Sequence, residues 1–172
     1  MRDILLINYI AEDIALDTIN NKRDELLKRL SNRFLKEAEI TLNEDLSKDI
    51  ESSVNENKDN LLAIGAHGIF GSLWDLADNA RCGIKVDIGD ILIRQEVVEI
   101  LDILDINPYV VSSKNSYLLL VENGYALERR LRENNIASKV IGVETDNNDR
   151  IVINGEETRF LTPNNRDSYF MS

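Results

Sequence analysis

The chain has 172 residues, with 20 Lys and Arg against 31 Asp and Glu, and a formal net charge of −11 with its one histidine neutral. At this length a folded chain removes roughly 70% of its unfolded surface from water without metal or disulfide staples, and a lone cysteine, Cys82, excludes an intrachain disulfide scaffold. No apolar run approaches the roughly 20 residues of a spanning helix, Met1-Arg2-Asp3 opens no signal peptide, and the basic residues are interleaved with carboxylates instead of clustered against a polyanion. These features predict a cytoplasmic protein with neither nucleic acid nor a membrane as partner.

Residues 3–8 form a short apolar run with polar ends, the pattern of a strand covered on both faces. Over residues 24–38, Leu26, Leu27, Leu30, Phe34 and Ala38 recur every three to four positions and predict an amphipathic helix. Leu46, Ile50 and Val54 mark a second helix, closed by a polar connector over residues 55–60. A strand over 61–64 then runs through Gly65-Ala66-His67-Gly68 into a helix carrying Phe70, Leu73, Trp74 and Ala77 on one stripe. A strand, a glycine-bearing turn and a helix is a shape able to present backbone N–H groups to an anion.

Residues 83–88 alternate Ile84, Val86 and Ile88 with Lys85 and Asp87, as a half-buried strand does. A helix over 93–104 is stopped at Asn107-Pro108, because proline cannot continue the hydrogen-bond ladder. A buried strand over 116–121, a helix over 124–134 with Leu127 and Leu131 inward, and a strand over 139–143 follow. Residues 150–153 and 157–161 flank Asn154-Gly155, a hairpin signal. The expected architecture is α+β: a mixed β-sheet covered by helices and ending in a β-hairpin, one domain over residues 3–162 with a polar tail over 163–172.

This order, together with the stretches Gly68-Ile69-Phe70-Gly71-Ser72-Leu73-Trp74-Asp75, Ile93-Arg94-Gln95-Glu96-Val97-Val98, Asn107-Pro108-Tyr109 and Ile153-Asn154-Gly155-Glu156-Glu157, resembles the C-terminal domain of the AIR synthase-related superfamily. That superfamily holds a purine-pathway aminoimidazole ribonucleotide synthase, thiamine-monophosphate kinase, selenophosphate synthetase and a hydrogenase maturation factor, and the branch most similar here is the maturation-factor-like one. The resemblance implies a second lobe whose ATP and magnesium site belongs chiefly to an N-terminal lobe, supplied in cis or in trans; it implies no cofactor or metal held by this lobe alone, and leaves a homodimer open.

The departures from the family pattern bear on function. Where relatives read Asp-x-Ser/Thr-x-Gly-Gly, this chain has Ala63-Ile64-Gly65-Ala66-His67-Gly68; where they carry Glu-Gly-Thr, it has Asp13-Ile14-Ala15; and Ser-Ser-Gly-Ser has become Ser113-Lys114-Asn115-Ser116. The family's terminal cysteine is replaced by Arg166-Asp167-Ser168-Tyr169-Phe170-Met171-Ser172. The expectation is a non-catalytic interaction or scaffold half. The alternative is the substrate-side half of an ATP-dependent phosphoryl-transfer or dehydratase-type enzyme, and a third reading is an anion sensor.

The candidate substrate- or anion-binding residues are His67 and Gly68 in the turn before a helix, and Ser113, Lys114 and Asn115, a hydroxyl, a cation and an amide where a strand begins beside the implied interlobe cleft. The bland readings stand beside them: His67 as a tolerated loop substitution, and Ser113 to Asn115 as a solvated turn. Cys82 follows Arg81, which would lower its pKa, but a partly buried inert thiol is the plainer assignment. Asp87 with Asp90, and Asp146 with Asp149, are acid pairs of the kind that recur by chance in an acidic chain, and no histidine or cysteine set points to zinc.

Overall fold

The first apolar run becomes the middle of the sheet. β1 (Asp3–Ile7) lies between β4 (Tyr117–Val121) and β5 (Ser138–Thr145) and is antiparallel to both. The computed structural model describes residues 1–43 and 47–163. With β2 (Leu62–Ala63), β3 (Gly83–Asp87), β6 (Arg150–Asn154) and β7 (Glu157–Phe160), the seven strands run in the order β2-β4-β1-β5-β3-β6-β7. Only β3 with β6 pairs parallel, so the sheet is mixed. The fold is α+β, as the alternation of elements in the sequence predicts.

Helices cover both faces, and β1 shows why. Ile4 and Leu6 join Leu118, Ile84 and Val86 against α4 (Gly68–Ala80), whose Ile69, Phe70, Leu73 and Ala77 supply the facing stripe. Leu5 and Ile7 point the other way with Leu119 and Val140, under α3 (Ser47–Val54) and α6 (Gly124–Glu133). Alternate residues thus feed two separate cores. A third core lies among the helices α1 (Glu12–Leu26), α2 (Asn32–Leu42) and α5 (Gln95–Ile103), built on Ala15, Ile19, Leu26, Leu35, Val97 and Leu101.

Two local expectations are corrected. The single helix expected over 24–38 is the end of α1 and most of α2, divided by the turn at Leu27–Leu30. Ser31 causes the restart: its backbone is extended (ψ 153°) and its hydroxyl accepts the Phe34 N–H at 3.0 Å, an N-cap inside what the apolar spacing presents as one helix. The hairpin turn also sits one residue later than the Asn-Gly signal, since Asn154 pairs with Glu157 and Gly155-Glu156 are the central residues. Positive φ there falls on Gly155 alone, as in a type II′ turn. Leu46, expected on α3, and the polar tail expected over 163–172, but for its first residue, lie outside the described residues.

The register of β1 against β5 shifts between Ile4 and Leu5, so that Ile141 is passed over and Gly142 faces Ile4. A Cβ on Gly142 would stand 2.2 Å from the Lys85 carbonyl oxygen, which makes glycine the residue that lets β3 close on β5 at this bulge. Beside this bulge Arg2 grips Glu144 through Nε (3.1 Å), Nη2 (2.9 Å) and its backbone N–H (2.7 Å). The Arg2 hydrogen bonds hold the Glu144 carboxyl below its ordinary 4.5, and Glu144 in turn raises Arg2. A lowered folded-state pKa stabilises fully above the unfolded value and is lost as pH falls through the folded one. Glu144→Gln is therefore expected to cost about 1 kcal/mol at neutral pH and to flatten the loss of stability on acidification below pH 4.5, measured by urea unfolding across pH.

Candidate functional site

One end of the sheet gathers every candidate residue. The register pairs place the end of β1 (Ile7), the end of β2 (Ala63) and the start of β4 (Tyr117) side by side, and Ile7 also meets Ser138 at the start of β5. The turn before α4, the start of α1 and the loop leading into β4 therefore surround this end of the sheet.

The turn before α4 is engaged within the protein. Gly65 N–H donates to the Ser72 hydroxyl at 3.1 Å, Gly68 N–H to the Gly65 carbonyl at 3.0 Å, and Phe70 N–H to the Tyr109 carbonyl at 3.2 Å. Gly68 has φ +73°, and a Cβ there would lie 2.4 Å from the Tyr109 oxygen, so its glycine serves the close approach of the 109–110 backbone. His67 is exposed at the N-cap position of α4 and makes no side-chain cap.

The loop leading into β4 is stitched to the start of α1. Ser113 is buried and its hydroxyl accepts the Ala11 N–H at 2.8 Å. Lys114 N–H donates to Asp13 Oδ1 at 3.1 Å, and Asn8 Nδ2 donates to the Asn115 carbonyl at 3.1 Å. The Ser116 hydroxyl donates to the Tyr9 carbonyl. Asn8, Ala11 and Asn115 all sit at left-handed φ, between 60° and 71°, a conformation costly for Ala11 and held by these bonds.

Between the loop and α1 opens a cleft of about 310 Å³, lined by Asn8, Glu12, Asp13, Asp17, Lys114 and Asn115 with Leu16 and Leu42. Lys114 and Asn115 were marked by the sequence; Asn8, Glu12 and Asp17 were not, because α1 was not recognised. No local pattern marked them, because they reach the cleft only through the turn that follows β1 and through α1. Glu12 is ion-paired with Arg94 at 3.0 Å, and the Arg94 guanidinium lies 4.1 Å over the Tyr9 ring. The cleft thus holds three carboxylates against Lys114, with Arg94 engaged at its edge. Among the described residues no group of three or more His, Cys, Asp or Glu is arranged to hold a metal ion.

Cys82 is half-buried, in keeping with the inert assignment. Burial, followed by Glu144, pushes its thiol up, against the opposing pull of Arg2 and Arg150, so Arg81 does not activate it. Asp87 Oδ1 accepts Gly89 N–H, and Asp90 reaches Lys139 at 3.3 Å. Trp74 lies under the Arg150 guanidinium at 4.1 Å, while Phe70 is core. No helix among the described residues is long and apolar enough to cross a membrane.

No family model and no curated protein matches the sequence. Solved structures do match. HypE of E. coli, a hydrogenase maturation protein, superposes with a TM-score of 0.68 at 15% identity over 96% of this chain and 50% of that one. The fold is the AIR synthase-related one. A chain of the HypE-HypF complex matches at 0.65 and 12% identity over 94% of this chain and 52% of that one. Thiamine-monophosphate kinase of Stenotrophomonas maltophilia K279a matches at 0.61 and 10% identity, over 91% and 50%. The chain spans about half the length of these structures.

Ser113 tests whether the loop is built for structure. Ser113→Ala leaves the Ala11 N–H unpaired in a buried site, and a loss of about 1–3 kcal/mol in unfolding free energy is expected, read from chemical denaturation. A hydroxyl held for ligand contact alone would be lost with no change in stability.

Proposed function

We propose that this chain is the C-terminal lobe of an AIR synthase-related protein, acting as an interaction half that docks on an N-terminal ATP-binding lobe in cis or in trans, with little or no catalysis of its own. The observation that carries the reading is that amides in the loops flanking the implied interlobe cleft are engaged within the protein. Amides of the turn before α4 donate internally, Ser113 and the Lys114 amide are bound to α1, and a phosphate entering the cleft would meet Glu12, Asp13 and Asp17. Glu12 is offset by Arg94, but like charges about 4 Å apart repel by about 1 kcal/mol even at water's dielectric, and by more as water is excluded. The residues of this lobe therefore do not fit a nucleotide phosphate held by them alone.

A coverage of half of each HypE chain supports the lobe reading, and the solution of a HypE chain together with HypF supports a protein partner. Fold alone does not carry the chemistry of those proteins over. The second reading, the substrate-side half of an ATP-dependent phosphoryl-transfer or dehydratase-type enzyme, is favoured by one feature: Lys114 projects a cation into the cleft.

Calorimetric titration with ATP and magnesium, with phosphate and with AMP, repeated on Lys114→Ala, separates the two. Silence up to about millimolar ligand, weaker than roughly −4 kcal/mol of binding, is the expected result. Saturable heat that falls at least tenfold in Lys114→Ala overturns the interaction-half reading in favour of the enzyme half.

A further inference from the structure

The dipeptide Asn-Gly occurs twice in the chain, at Asn123-Gly124 and at Asn154-Gly155. Glycine leaves its backbone nitrogen sterically open, so in this dipeptide that nitrogen can reach the amide carbon of the preceding side chain and close a five-membered ring. Both asparagines are exposed, and by local sequence the two sites are equivalent. The structure makes them different.

At the first site the glycine is tied down. Asn123 is the N-cap of α6 at left-handed φ 53°, and the N–H of the buried Gly124 donates to Asp3 Oδ2 at 2.8 Å. A Cβ on Gly124 would lie 2.8 Å from Asp3 Cβ, so the backbone there has no room to swing. At the second site the nucleophile is open. Among the described residues neither the Gly155 N–H nor the Asn154 side chain makes a hydrogen bond, and a Cβ on Gly155 would meet nothing within 4 Å. The tip is held by its own ladder: every residue of β7 from Glu157 to Phe160 is exposed, and Asn154 with Glu157 is the last pair before the turn. Ladder ends of this kind open locally at low free energy, and opening this pair frees Asn154 to bring its side-chain carbonyl onto the Gly155 nitrogen.

We propose that Asn154 is a site of spontaneous modification, converted through a cyclic imide with Gly155 to aspartate and isoaspartate, whereas Asn123 is protected by the Asp3–Gly124 bond. The Gly155 nitrogen gives its proton to solvent base and attacks Asn154 Cγ; the N–Cγ bond forms, the Cγ–Nδ2 bond breaks, and the amide nitrogen leaves as ammonia with a proton from water. Water then adds to one of the two imide carbonyls and opens the ring to an α-linked or a β-linked acid. Each event exchanges a neutral amide for a carboxylate in a chain whose net charge is already −11. The β-linked product also adds a methylene to the backbone at the closing pair, which displaces Glu157 from its register with residue 154. The site does not depend on the lobe reading.

The test holds the full chain at mildly alkaline pH and physiological temperature, cleaves samples to peptides over time, and reads the mass gained where an amide NH2 becomes OH, with isoaspartate detected by enzymatic carboxyl methylation. The Asn154 peptide is expected to convert at least tenfold faster than the Asn123 peptide, a barrier difference of about 1.4 kcal/mol, within what a hydrogen bond to a charged acceptor contributes. In denaturant, where only the shared dipeptide acts, the two rates should converge. Asp3→Ala, which removes the acceptor of the Gly124 N–H, should speed Asn123 at least threefold and leave Asn154 unchanged. Equal rates at the two sites in the folded chain, faster conversion at Asn123, no conversion at Asn154 while the denatured chain converts, or no acceleration of Asn123 in Asp3→Ala would each overturn the proposal.

Discussion

Everything at the candidate end of the molecule depends on the stitching of the β1–α1 turn to the loop leading into β4. Ser113 receives Ala11, Asp13 receives Lys114, Asn8 reaches Asn115 and Ser116 reaches Tyr9. Three of the participating side chains, Asn8, Ser113 and Ser116, are buried, so each bond removes a desolvation cost as well as supplying a link. The bonds set the angle at which α1 leaves the sheet, and through Arg94 on Glu12 they set where α5 packs. The helical core of α1, α2 and α5 is thereby hung from the sheet at one polar seam.

That seam engages donors that a ligand-binding loop would hold open. A loop built for phosphate keeps amides and hydroxyls unmatched until ligand arrives, at a cost in stability. Here Gly65, Gly68, Phe70, Ala11 and Lys114 all donate to partners within the chain. The cleft beside Lys114 is lined by three carboxylates, Glu12, Asp13 and Asp17.

The parts of the fold legible in the sequence are those where one periodicity runs unbroken. β1, with every residue from Ile4 to Ile7 buried, α4 with its Ile69-Phe70-Leu73-Ala77 stripe, and α6 with Leu127 and Leu131 inward follow directly from spacing. α1 was illegible for a physical reason. Its buried positions include Thr18 and the small Ala15, and its ladder is kinked at Lys22 (φ −127°), so no continuous apolar stripe announces it. The restart at Ser31 needed the cap to be weighed above the leucine spacing. For the site, Lys114 and Asn115 were readable as a turn before a strand, whereas Glu12 and Asp17 reach the cleft only because α1 is a helix.

The place of β1 in the sheet also governs how the chain must acquire its structure. Its four consecutive buried apolar residues are made long before both of their hydrogen-bonding neighbours, β4 and β5, which belong to the far half of the sequence. Loops this long are slow to close, and pairing of this kind raises contact order. Until residues beyond Ser138 have been made, Ile4 to Ile7 have no complete set of strands to lie between. The nascent chain therefore carries this apolar segment without its sheet partners while about 130 further residues are made, which makes the segment a natural site for chaperone binding.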